Sequence, residues 1–128
     1  MSLERPETLL DGGASPAWDS TAMTGTATCV TAPVELGYGI KYLSMNLTWT
    51  NPSTVVGTFT LEETNVDPSG TPLWVTVPSA SVVVPTVNNN AGPGMVRAFV
   101  QGRYARLKYV NTSGSGVLSA PTVHGKLR

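Results

Sequence analysis

The sequence predicts an all-β fold: an antiparallel β-sandwich, jelly-roll-like or immunoglobulin-like, with an extended N-terminal arm. Three observations lead there. Apolar and polar residues alternate with period two, most clearly Leu43, Met45, Leu47 and Trp49 against Tyr42, Ser44, Asn46 and Thr48. Clusters of Gly, Pro, Asn and Ser recur at intervals of roughly 8–12 residues, the spacing of turns in sandwiches and barrels. No run longer than about six residues keeps a capped apolar period of 3.6, so no helix is expected.

The elements follow in order. Residues 1–18 read as an arm, because Pro6, Gly12, Gly13 and Pro16 break any periodicity while Leu9, Leu10 and Trp18 supply apolar anchors. The sandwich domain is read as residues 19–128. Thr26 to Pro33 is a first strand by its Thr and Val content. Lys41 to Thr50 is the clearest strand, closed by the turn Asn51-Pro52-Ser53. Val56 to Thr64 places Phe59 and Leu61 inward and Thr58, Thr60 and Glu62 outward. Asp67-Pro68-Ser69-Gly70 is a turn, Leu73 to Val77 a short strand broken at Pro78-Ser79, and Ser81 to Pro85 its apolar continuation. Asn88 to Gly94 reads as an exposed loop before a strand at Met95 to Val100. Arg103 to Val110 buries Ala105, Leu107 and Tyr109 and exposes Tyr104, Arg106 and Lys108. The turn cluster Asn111 to Gly116 then leads into a last strand, Val117 to Leu127. Leu43, Leu47, Trp49, Phe59, Leu61, Leu107 and Tyr109 share a phase and are expected in one core.

Composition narrows the function classes. At 128 residues the chain is about one domain, large enough to bury a core without staples. Charged residues make up 12%, about half the usual share, and Thr, Ser, Asn and Gly carry the polarity instead. Such a surface suits an extracellular β-protein or a virion protein whose sides are covered by neighbours. The single cysteine, Cys29, excludes an intrachain disulfide and is expected as a buried, inert thiol. The opening residues lack a basic region followed by an apolar run, and no stretch is long enough to span a bilayer. Synthesis in a host cytoplasm, with no membrane partner, is therefore expected. Charge is polarised: residues 1–67 hold all eight acids with only Arg5 and Lys41, and residues 68–128 hold six cations and no acid. Either the two halves neutralise each other within one subunit, or they form complementary faces between subunits.

No catalytic constellation is visible, and no cofactor is expected. His124 is the only histidine, and no nucleophile-elbow or catalytic-cysteine motif accompanies it. Zinc would need three or four N/S ligands where only His124 and Cys29 exist. Adjacent Glu62 and Glu63 point to opposite faces of a strand and make a poor glycosidase pair. Glu62, Asn65, Asp67 and the Ser69 region offer oxygens for calcium, although an ordinary turn is the preferred reading. Gly92-Pro93-Gly94 lacks the lysine and helix of a phosphate loop. The basic strand around Arg103, Tyr104, Arg106 and Lys108 is too small a footprint for nucleic acid at a pI near 6.5. Among the tryptophans, Trp49 falls on a core face; Trp74 and Tyr104 are the better candidates for a sugar-stacking platform.

Several landmarks carry a resemblance. They are Met45-Asn46-Leu47-Thr48-Trp49, Val56 to Glu62, the Pro-Ser-Gly turn before Trp74, and Tyr104 to Tyr109 with Asn111 to Gly116. Over roughly Leu43 to Lys126 the chain resembles small β-sandwich virion proteins of tailed bacteriophages, of the head decoration, cement or tail-accessory type. The resemblance implies a non-enzymatic structural protein located in the virion. Its implied partners are further copies of itself, as a dimer or trimer, and a major capsid protein. The family supplies no catalytic residues. The expected interface residues are Leu9, Leu10, Trp18, Arg97, Arg103 and Arg106. The alternative is a carbohydrate-binding or tail-accessory module, with surface glycans as partners.

Overall fold

The computed structural model describes residues 14–37, 39, 41–50, 55–84 and 92–127. Nine strands make up the described chain: β1 (Ala22–Thr24), β2 (Thr28–Val30), β3 (Val34–Glu35), β4 (Lys41–Thr50), β5 (Val56–Thr64), β6 (Val75–Val84), β7 (Gly92–Val100), β8 (Tyr104–Ser113) and β9 (Ser115–Leu127). Among the described residues there is no helix, and so none long and apolar enough to cross a membrane.

Two antiparallel sheets pack face to face. The first has the order β1-β9-β4-β7 and the second β2-β8-β5-β6, with β3 also paired to β8. Only β2–β3 and β5–β6 are successive strands that stay in one sheet; every other connection crosses the sandwich. That winding makes a four-stranded and a five-stranded sheet from one rolled ribbon, the jelly-roll arrangement. It decides between the two sandwich classes open from the sequence.

The predicted core forms as one cluster. Leu43, Leu47, Trp49, Phe59, Leu61, Leu107 and Tyr109 are all exposed by 4% or less. Phe59 is the hub, with ring centroids 4.7 Å from Tyr109, 5.6 Å from Trp49 and 6.1 Å from Trp18. Trp18, expected as an interface anchor, is only 9% exposed and lies in its own subunit's core. Its indole Nε1 donates to the Ser119 carbonyl at 2.9 Å, and Ala14 and Val123 exchange backbone hydrogen bonds. Ala14 and Ser15 of the arm thus lie along β9, while Ala17 and Trp18 pair with Ala32 and Thr31 beyond β2. Leu9 and Leu10 lie outside the described residues.

Strand boundaries depart from the sequence reading where pairing overrides local composition. The run Thr26–Pro33 contracts to β2, and β3 forms just beyond it; they pair with β8 at Val30↔Lys108 and Val34↔Ala105. Pro78 does not end β6. The β5 ladder passes from Thr60↔Ser81 to Glu62↔Thr76, so the residues between Thr76 and Ser81 bulge out and Pro78 takes no ladder position. Gly92 to Gly94, read as loop, begins β7 opposite Trp49, Thr48 and Leu47 of β4. The turn expected over Asn111–Gly116 contracts to Gly114, whose φ of 81° suits a residue without Cβ.

Candidate functional site

Three surfaces hold the chemistry-bearing side chains. The outer face of the second sheet carries the basic strand. Arg106 Nε donates to Glu62 Oε1 at 2.8 Å, and Lys108 Nζ stands 3.8 Å from Glu62 Oε2. Arg103 approaches Glu35 at 4.0 Å. The pairing Glu62↔Arg106 in the β5–β8 ladder brings the acidic half of the chain against the basic half within one subunit. Arg103 and Arg106, expected at an interface, therefore face acids of their own sheet. Glu62 keeps its outward phase but is only 6% exposed, contrary to expectation. Arg106 covers it, and that guanidinium also lies over the Trp74 ring, 4.4 Å from its centroid.

Both aromatics nominated for sugar stacking carry an arginine over the ring. Trp74 is occupied by Arg106. Tyr104 is 7% exposed and lies under the Arg103 guanidinium, 5.2 Å from its centroid. The calcium grouping does not converge either. Glu62 is held by cations and Asn65 Oδ1 accepts the Arg103 backbone N–H at 3.1 Å. Asp67 accepts the Ser69 backbone N–H at 2.9 Å and its hydroxyl at 2.8 Å, bonds that hold its carboxyl below the usual range. Among the described residues no three His, Cys, Asp or Glu side chains gather as a metal site.

The second surface is a cleft of about 390 Å³ at one end of the sandwich, lined by Glu63, Asn65, Val66, Leu73, Val75 and Gln101. Glu63 Oε1 accepts the backbone N–H groups of Gln101 at 3.0 Å and Gly102 at 2.7 Å, tying the β7–β8 connection to β5. A Cβ on Gly102 would come within 2.9 Å of Glu63 Cβ and 3.1 Å of the Thr64 backbone, so the close approach requires glycine. Around this built floor Val66, Leu73 and Val75 stand exposed, Leu73 by 77%.

The third surface is the outer face of the first sheet. The ladders place Phe99, Tyr42 and Lys126 in one row across β7, β4 and β9, and Arg97, Ser44 and His124 in the next. Tyr42 and Phe99 form an aromatic pair with centroids 5.1 Å apart, and Phe99 is 54% exposed. Met95 follows beside Asn46, with Ser44 Oγ donating to its Sδ at 3.5 Å. Arg97 is exposed on this face, as is His124. Neither Tyr42 nor Phe99 is among the aromatics nominated from the sequence for a binding platform. The signal was present, since Phe99 is out of phase with Val96, Ala98 and Val100 on the same run.

Cys29 and His124 stand apart. Cys29 is buried on β2 with its thiol pushed up by burial and by nearby Asp19, whereas His124 points outward from the opposite sheet. Asn111, 1% exposed, forms a buried polar staple. The Tyr109 hydroxyl donates to Asn111 Oδ1 at 2.7 Å. Asn111 Nδ2 donates to the carbonyls of Gly25 at 2.9 Å and Gly114 at 3.3 Å, joining two connections that cross between the sheets.

No protein-family model matches the sequence, and no curated protein sequence does. Solved structures share the fold. A chain from the structure of infectious bursal disease virus, Gx strain, aligns over 97% of this chain with a TM-score of 0.62 at 11% identity. A chain from the Gt strain aligns over 96% with a TM-score of 0.52 at 13% identity. The CBM22-1 xylan-binding domain of Paenibacillus barcinonensis Xyn10C aligns over 99% of both chains with a TM-score of 0.50 at 11% identity. This chain spans about a third of the virus chains, 32% and 33% of their lengths. At these identities the likeness is one of fold: a small β-sandwich built as a jelly roll.

Proposed function

We propose that this chain is a structural virion protein, a capsid decoration or cement protein of a tailed bacteriophage, acting by assembly and not by catalysis. The carrying observation is the strand order β1-β9-β4-β7 over β2-β8-β5-β6, which takes in about two-thirds of the described residues. Jelly rolls of this kind recur in viral capsid and lectin domains. The likeness to the bursal disease virus chains, at a TM-score of 0.62 for one of them, supports the capsid side of that pair.

In this reading the end cleft is the contact surface. Val66, Leu73 and Val75 form an apolar patch on a floor fixed by Glu63 and Gly102, in a chain with few charged residues. The partners are further copies of the chain, as a dimer or trimer, and a major capsid protein. Leu9 and Leu10 keep the proposed role of arm anchors on a neighbour, while Trp18 serves its own core. Sedimentation velocity tests the assembly: the wild type should run as a dimer or trimer, and Leu73→Asp as a folded monomer with an unchanged melting temperature. A wild type that stays monomeric at all concentrations, or a Leu73→Asp protein that assembles normally, would count against this surface.

A second reading, a carbohydrate-binding or tail-accessory module, is favoured by one observation, the exposed Tyr42–Phe99 pair among short polar side chains.

A further inference from the structure

Resting on that second reading, we infer that the outer face of the first sheet binds an anionic oligosaccharide, with Arg97 reading the carboxylate and the Tyr42–Phe99 pair stacking on a sugar ring. The observation is an asymmetry of charge between the sheets. No Asp or Glu occurs in β1, β4, β7 or β9. The described acids lie on the second sheet (Glu35, Glu62, Glu63), on a connection (Asp67) or before β1 and bonded to β2 (Asp19). On the second sheet, Arg106 and Lys108 meet Glu62. On the first, Arg97 is exposed in a ladder row with Ser44 and His124, beside the row that holds Phe99, Tyr42 and Lys126. Cationic and aromatic positions thus alternate on one face, with adjacent strands about 4.8 Å apart and successive rows about 6.7 Å apart.

The chemistry of this face selects among occupants. Asn46, Thr48 and Thr122 line the next positions along β4 and β9, and their short amide and hydroxyl groups pair with sugar hydroxyls. An aromatic face packs against the C–H face of a pyranose, and an exposed guanidinium pairs with a carboxylate in bidentate fashion. A second copy docked isologously on the same face would set cations on both sides with no acid between them. A peptide strand would add to a sheet edge and not to a face. Nucleic acid would need a larger basic footprint than one face of a chain with zero net charge.

Calorimetric titration of the full chain tests this with short oligogalacturonides, neutral β-1,4-galacto-oligosaccharides and duplex DNA as probes. The expected result is oligogalacturonide binding about tenfold tighter than that of the neutral sugar, with DNA not bound. Arg97→Gln should remove that preference and leave neutral binding alone, while Phe99→Ala should weaken both sugars about tenfold. Both side chains are exposed, so melting temperatures should hold. Equal affinity for charged and neutral sugars, unaffected by Arg97→Gln, would overturn the anionic specificity and leave the carbohydrate reading standing. No binding of either sugar would overturn both. DNA bound as tightly as the oligogalacturonide would show a general polyanion surface and overturn the site.

Discussion

Tyr109 shows how one residue ties burial to stability. Its ring packs on Phe59, its hydroxyl is committed to Asn111, and burial first, then the nearby Cys29 thiol, push its pKa up to about 12. An acid with a raised pKa favours the fold in its neutral form. That contribution is complete below the unfolded value near 10 and is lost as pH climbs through about 12. Urea midpoints measured across this window should fall for the wild type and change less for Tyr109→Phe; parallel curves would contradict the assignment. Leu107, 1% exposed on the same strand, is a simpler case. Leu107→Ala should cost about 2–5 kcal/mol in chemical denaturation, and an unchanged midpoint would remove it from the core.

At the scale of elements, the β5–β8 pair is the spine of the second sheet. Gly57 lies opposite Asn111, and a Cβ there would run into the phenol end of Tyr109. Gly57→Ala should therefore destabilise by roughly 1–3 kcal/mol, an overpacking effect; a variant as stable as wild type would mean that the ring has room to move. Period two made β4, β5 and β8 legible in the sequence, because one face of each is buried over most of its length. It gave no view of β1 or β3, which are three and two residues long and owe their existence to β9 and β8. Nor does phase reveal what covers an outward residue. Glu62 and Tyr104 both point outward and are both buried, because the Arg106 and Arg103 side chains fold over them. The β7 start at Gly92 was hidden for a related reason: its composition is that of a loop, and only the ladder to β4 holds it extended.

For the whole molecule, the fold divides its surface into regions of different character. The outer face of the second sheet is closed by its own ion pairs, the sandwich end is apolar, and the first sheet is aromatic and free of acids. Charge polarity along the sequence was legible, but its outcome depended on strand order, which period two does not encode. The acids of β5 fell beside the cations of β8, so two of the three arginines expected at an interface are matched internally and Arg97 alone remains on an acid-free sheet. A protein that acts by assembly should be found in the assembly. Quantitative mass spectrometry of washed virions, produced by the genome that encodes this chain, measures its copy number against the major capsid protein. The proposed decoration or cement role predicts a fixed ratio close to a simple fraction that survives washing; absence of the chain from intact, washed particles would contradict it.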